Sequence, residues 1–288
     1  MKEFITFQGM DFGNLGLDLY SDLQTRFPEC CTPGRNFLGG YPNGHPRLKE
    51  ILEFLADHGW YPGRGWFQRR GPKEYWLRIK RHYDKKDFDA FEYLIFGGGG
   101  TPWSGGRVPQ SPHLLLSMKN MKVDDVRMVG MQGRVVPERV RRILEAEQIR
   151  HIVFLPTLLA PGWPTAFDRF MSWEDMHEEP WWEIQSDLRL PPLSSRCRLV
   201  DAAGEPYNPH GPFKGLYVEE GNYENPEMHY RASDLAQLPS FDIALTHENF
   251  GAGNRDEIGT LVVSQRFRQV CIKHNLKVGF WPVRVDPE

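Results

Sequence analysis

Two stretches of this chain carry the same pattern, and that pattern restricts the fold more than any other feature. Leu261-Val262-Val263-Ser264 is apolar and β-branched. Phe267, Val270, Cys271 and His274 then recur at helical spacing, and Phe280-Trp281-Pro282-Val283 returns to extended chain. Ser264 is placed to cap the helix and Asn275 to stop it, while Pro282 suits an edge strand. The earlier stretch matches position by position. Val135-Val136-Pro137-Glu138-Arg139-Val140 stands against Val262-Val263-Ser264-Gln265-Arg266-Phe267, with Ile143 against Val270 and Ile149 against Leu276. After one gap, Phe154 meets Phe280 and Pro156 meets Pro282. The pattern is strand, helix, strand, twice. It is either a duplicated half or two independent units of a common type, and neither copy carries a catalytic motif.

The rest of the chain points to an α+β fold, with mixed sheets and a few packed helices. Glu3 to Phe7, Phe91 to Phe96, Leu114 to Leu116, Val126 to Val129, Trp181 to Ile184 and Phe241 to Leu245 read as strands. A helix is expected from Pro46 to His58, with Leu48, Ile51, Leu52 and Leu55 as its buried stripe and Gly59 past its end. A second helix is expected from Pro72, because Tyr75, Trp76, Ile79 and Tyr83 fall on one helical face. Gly97 to Gly100, followed by Pro102, Gly105-Gly106 and Pro109, reads as a linker. It divides an N-terminal α+β variable region, residues 1–100, from a C-terminal α+β domain, residues 113–288.

Charge is distributed unevenly although the formal total is only −3. Residues 64–86 hold nine basic residues against two acidic ones, interleaved with aromatics. That mixture can bind nucleic acid, but the helical period of the aromatics favours a solvated face, and nucleic acid is not the expected partner. Residues 165–260 hold eighteen acids against seven bases. Such a region repels nucleic acid and steers a basic partner.

No constellation announces chemistry. His247-Glu248 begins like a zinc-protease motif, but position 251 is Gly, so the second ligand is missing. Cys30, Cys31, Cys197 and Cys271 make no CxxC pair. No metal, no cofactor and no catalytic residue is expected. The start of the sequence is no signal peptide and no run is long enough to span a membrane. The expectation is a cytoplasmic protein with reduced thiols.

Three pieces, in this order, resemble the bacterial polymorphic-toxin immunity proteins related to the double-CXXCG-motif family. They are Trp181-Trp182-Glu183-Ile184, then Phe241 to Thr246 with Glu248 and Phe250-Gly251, then Leu261 to Phe267 leading to Phe280-Trp281-Pro282-Val283. The CXXCG motifs themselves are missing. The resemblance spans about residues 113–288 and implies a protein that is not an enzyme. It would neutralise a cognate, basic secreted toxin domain by stoichiometric binding. The residues expected at that interface are Glu178, Glu179, Trp163, Trp173, Glu219, Glu220, Asp256 and Glu257. Two alternatives stand beside it. One is a hydrolase that reverses a toxin's modification of its target. The other is a nucleic-acid-binding module that uses residues 64–86.

Overall fold

The structure is a computed structural model. It describes residues 1–8, 17–28, 40–62, 73–98, 105–107, 113–117, 125–129, 133–160, 172–174, 179–201, 203–208, 210, 215–221, 223, 226–250 and 259–287. Along the chain the first elements are β1 (Lys2–Gln8), α1 (Leu17–Arg26), β2 (Gly40–Pro42), α2 (Pro46–Asp57), β3 (Tyr61–Pro62) and β4 (Glu74–His82). There follow β5 (Tyr93–Gly98), β6 (Gly105–Arg107), β7 (Leu114–Ser117), β8 (Arg127–Val129), β9 (Gly133–Pro137), α3 (Glu138–Ala146), β10 (Ile152–Pro156) and β11 (Leu158–Ala160). The last third holds β12 (Trp181–Ser186), β13 (Arg198–Val200), β14 (Tyr217–Glu219), β15 (Met228–Arg231) and α4 (Ala232–Leu235). It closes with β16 (Ile243–Leu245), β17 (Leu261–Ser264), α5 (Gln265–Lys273) and β18 (Val278–Asp286). The fold is α+β with mixed sheets.

The chain forms two compact units. The first is Met1–Ala90 with Cys197–Pro226, and the second is Phe91–Arg196 with Glu227–Glu288. This division differs from the expected one. Gly97 and Gly98 are no linker, because they lie in β5 and pair with Gly279 and Val278 of β18. A Cβ on Gly97 would stand 3.4 Å from the Gly279 carbonyl oxygen and 3.5 Å from the Trp281 ring. Both are ordinary contact distances, so the strand pairing itself places these glycines in the sheet. Gly105 and Gly106 belong to β6, while residues 99–104 and 108–112 lie outside the described residues.

Unit one is a four-stranded sheet in the order β2-β1-β4-β3. One face packs on the two helices: Ile5 and Tyr75 are buried with Leu23 and Phe27 of the α1 region and with Leu48, Ile51, Phe54 and Leu55 of α2. Pro46 begins α2, the His45 ring accepts from Arg47 N at 3.2 Å, and Gly59 past its end has φ +75°. The helix expected from Pro72 is instead the strand β4, paired with β1 over seven positions from Lys2–His82 to Gln8–Trp76. Tyr75 and Ile79 are four apart, a spacing that satisfies the helical period and the strand period equally. Pairing with β1 decides between them. Arg81 closes the helix-side end of the sheet. Its guanidinium lies 3.6 Å over the Tyr223 ring and bonds Glu220, and Tyr223 donates to Glu3 at 2.7 Å.

Unit two is a duplicated fold. One sheet runs β10-β12-β9-β8, and the other contains β18-β5-β17-β16 with β15 outside β18. The registers agree residue by residue. Val135 pairs with Arg127 and Glu183, and its counterpart Val262 pairs with Ala244 and Ile95. Phe154 faces Ile184, and Phe280 faces Phe96. The match extends beyond the expected strand–helix–strand unit. The parallel pair β7–β11, with Leu115 opposite Leu158, is repeated as the parallel pair β15–β18, with His229 opposite Arg284.

Both helices end alike. Gln148 and Asn275 take positive φ, 52° and 51°. Ile149 N bonds Leu144 O at 3.2 Å, and Leu276 N bonds Cys271 O at 2.8 Å. Each is the six-to-one bond of a Schellman ending. Ser264 caps α5 as expected, accepting from Phe267 N at 3.2 Å. In chain order, repeat one is β5, β7, β8, β9, α3 and β10–β11, and repeat two is β12, β15, β16, β17, α5 and β18. The first strand of each repeat lies in the sheet of the other.

Candidate functional site

The duplication sorts the charged side chains of unit two, because each can be compared with the residue at the same place in the other repeat. Two aspartates occupy equivalent positions and serve equivalent partners. Asp242 is fully buried. It accepts from Arg150 N at 3.0 Å, Arg150 Nε and Nη2 at 3.1 Å each, and Ser264 Oγ at 3.0 Å, and it pairs with Arg266 Nη1 at 2.5 Å. Asp125, also buried, accepts from Lys277 N at 2.6 Å and pairs with Arg139. Arg139 matches Arg266, and Lys277 matches Arg150. Burial pushes the Asp242 carboxyl up, but the bonds from Arg150 and Ser264 and the charge of Arg266 outweigh it and leave it below the usual range.

Arg266 also donates to the Glu147 and Gln148 carbonyls at the end of α3, at 2.5 and 3.4 Å. Glu147 in turn accepts from Lys273 at 2.7 Å and meets His274 at 2.6 Å, and those two bonds hold its carboxyl down at about 2. These groups tie the repeats together, and nothing in them is arranged for chemistry.

A second cluster has the composition of a catalytic site but not the order of one. His229 Nδ1 lies 3.2 Å from Asp286, as in a base oriented by a carboxylate. Ser194, however, donates to Asp286 at 3.4 Å, and Arg196 occupies the same carboxylate at 3.1 Å. A nucleophile would need its hydroxyl on the imidazole. Arg284 beside it is held by Glu227 at 2.7 and 3.2 Å. Among the described residues no group of three or more His, Cys, Asp or Glu is gathered to hold a metal. His247 and Glu248 follow β16 in a loop, and Glu248 accepts from Leu193 N at 2.9 Å.

The exposed residue that stands out is Trp281 of β18. It is 41% exposed, whereas Trp60, Trp173 and Trp181 are each 7% exposed or less. Its row across the sheet runs Trp281, Ile95, Val262, Ala244. Ala244 and Val262 are buried, Ile95 is half-buried, and only the tryptophan opens to solvent. Gly97 leaves the floor on which the indole rests. A tryptophan so placed is held by a strand paired along its length and offers a large amphipathic ring. In sequence it lies inside Phe280-Trp281-Pro282-Val283, which reads only as extended chain. Its alternation with Phe280, which packs inward against Phe96, is the signal that marks it.

Of the residues expected at an interface, Glu178, Trp163, Asp256 and Glu257 lie outside the described residues. Trp173 is in the core, donating to the Thr157 carbonyl at 2.9 Å and packing with Leu114, Val135 and Trp181. As placed it is no surface anchor. Its indole N–H needs a partner and finds one inside. Glu179 is exposed and accepts from Arg139 N at 3.2 Å. Glu219 pairs with Arg198 at 2.6 Å, and Glu220 pairs with Arg81. The structure does not bring these acids together on one element: Glu179 precedes β12 in unit two, whereas Glu219 and Glu220 belong to unit one. No helix among the described residues is long and apolar enough to cross a membrane. Compared with protein-family models and with curated proteins, the chain matches none.

Proposed function

We propose that this chain is an immunity-type inhibitor that binds a cognate, basic toxin domain and blocks it by occupancy. The observation that carries the reading is Trp281, an exposed tryptophan on a rigid strand, within the motif on which the resemblance to immunity proteins rests. Tryptophans of this kind are the usual energetic centres of protein interfaces, worth about 2 kcal/mol or more each when truncated. The acidic balance of residues 165–260 supports the same reading, since it speeds the approach of a basic partner. Inhibition by occupancy asks for no turnover, and the bonds within the Asp242 and Asp286 clusters suit a scaffold rather than a reacting centre.

The test is co-expression with the protein encoded beside this chain, followed by a titration of the two purified proteins. The expected result is rescue that needs at least equimolar inhibitor, with a stable one-to-one complex. Rescue at far lower ratios without a stable complex would overturn occupancy and favour the hydrolase.

A further inference from the structure

The replacement of the expected helix by β4 changes what the basic segment can do. In a strand, Arg78, Lys80 and His82 all leave the sheet on the side away from α1 and α2, while Tyr75, Leu77 and Ile79 face the core. Pairing with β1 then brings residues from the far end of the sequence beside them. Lys2 stands opposite His82, Phe4 opposite Lys80, and Thr6 opposite Arg78. The His82 and Phe4 rings meet edge to face at 4.8 Å. The result is a two-strand ladder with three basic side chains, Lys2, Arg78 and Lys80, around the Phe4–His82 pair. Lys2 and His82 are exposed, Phe4 and Lys80 are half-exposed, and Arg78 is buried. Glu74, the acid on this face of β4, lies at the opposite end of the strand from His82.

The same sheet shows how a basic residue is treated when its role is structural. Arg81, on the helix side, is 10% exposed at its side chain and gripped by Glu220 and the Tyr223 ring. Among the described residues, Lys2 and Lys80 have no carboxylate partner. Holding Lys2 and Lys80 close together on a half-buried sheet without acids disfavours the fold unless something anionic answers them. Regular spacing, about 7 Å between alternate residues of a strand, suits a ligand that is itself a chain of charges. An aromatic pair between the cations suits one that also carries flat rings.

We propose that this face of unit one binds single-stranded nucleic acid, with phosphates on Lys2 and Lys80 and a base against Phe4 and His82. The inference is independent of the inhibitor reading, which concerns unit two.

The test uses the full chain and a fluorescein-labelled oligouridylate of about twenty nucleotides, titrated by anisotropy at several salt concentrations. Wild type is expected to bind at low salt and to weaken steeply as salt rises. The double variant Lys2→Glu/Lys80→Glu is expected to lose more than about tenfold and to flatten the salt slope by about two. Phe4→Ala is expected to lose about fivefold or more with the slope unchanged. Far-UV circular dichroism checks the fold. If the double variant misfolds, Lys80→Gln alone should still lower the slope by about one. No binding by wild type at low salt, or an unchanged slope in the lysine variants, would overturn the proposal. Equal competition by polyglutamate, together with full binding by Phe4→Ala, would overturn it in favour of an acidic protein surface.

Discussion

The two repeats of unit two have one topology and two chemistries. Both keep the aspartate that pairs with an arginine of its own repeat and receives a backbone N–H from the other, and both keep the positive-φ residue and the six-to-one bond that end the helix. They part elsewhere. The first sheet buries Glu183 and Arg127 where the second has Ile95 and Ala244. Repeat two carries His229, Arg284 and Asp286 where repeat one has Leu115, Leu158 and Ala160. Trp281 stands where repeat one has Leu155. What both repeats retain is what the architecture uses. Where they differ, the fold accepts either residue, so the choice between them comes from the local neighbours or from a partner.

The largest expected effect tests the shared part. Asp242 is fully buried, whereas Arg150 and Arg266 are about half-exposed at their side chains, 48% and 46%. Removing both arginines as Arg150→Met/Arg266→Met strands a buried carboxylate and should cost about 3–5 kcal/mol. Asp242→Asn leaves two arginines that can turn to water and should cost less, about 2 kcal/mol. Urea unfolding at neutral pH checks the order, and an Asp242→Asn variant less stable than the double arginine variant would break the account.

The same pair predicts a pH dependence. The folded Asp242 carboxyl lies below its ordinary value. Its contribution is therefore complete above about pH 4 and is lost as pH falls through the lowered folded value. The stability gap between wild type and Asp242→Asn should stay flat from about pH 5 to 8 and shrink below that. A gap that widens on acidification would mean that the carboxyl is raised in the fold.

Much of this architecture is readable from local pattern. The β9–α3–β10 and β17–α5–β18 units, the Ser264 cap and the Asn275 stop depend on residues within a few positions of each other, and the structure has them where the sequence puts them. Long-range pairing is what the pattern lacks. Tyr75 and Ile79 fit a helix or a strand until β1 arrives beside them. Gly97-Gly98 reads as a linker until β18 is laid against it. The return of residues 197–226 to unit one has no local signature at all. The candidate surfaces share this limit. Lys2 and Lys80 are seventy-eight positions apart in sequence, and only the β1–β4 register makes them neighbours. Exposure at Trp281 depends on which face of β18 is covered, which the motif alone does not state.

A smaller effect is expected where the repeats differ inside. Glu183 and Arg127 lie on one face of the first sheet, in the same cross-strand row with Val135 between them, and both are buried. Installing the residues of the second sheet, as Glu183→Ile/Arg127→Ala, removes two charges that cost desolvation. The variant should keep its fold and be neutral to about 2 kcal/mol more stable. Thermal unfolding reads this directly. A loss of several kcal/mol would show that the first sheet uses the charges to hold its own packing, and that the interchange between sheets stops at the backbone.

The smallest effect on stability is expected at Trp281, and it separates fold from function most sharply. Trp281→Leu installs the residue that repeat one has at Leu155. The ring is 41% exposed and rests on the backbone at Gly97, so its replacement leaves no internal cavity. Stability should change by less than about 1 kcal/mol. If Trp281 is the anchor of an interface, the same variant should bind the protein that the co-expression test identifies as the partner about thirtyfold more weakly, mostly through faster dissociation. The two measurements together leave little room. Lost stability with unchanged affinity makes the tryptophan a packing residue whose exposure is incidental. Unchanged stability with lost affinity makes it the point at which repeat two departed from repeat one to serve a partner.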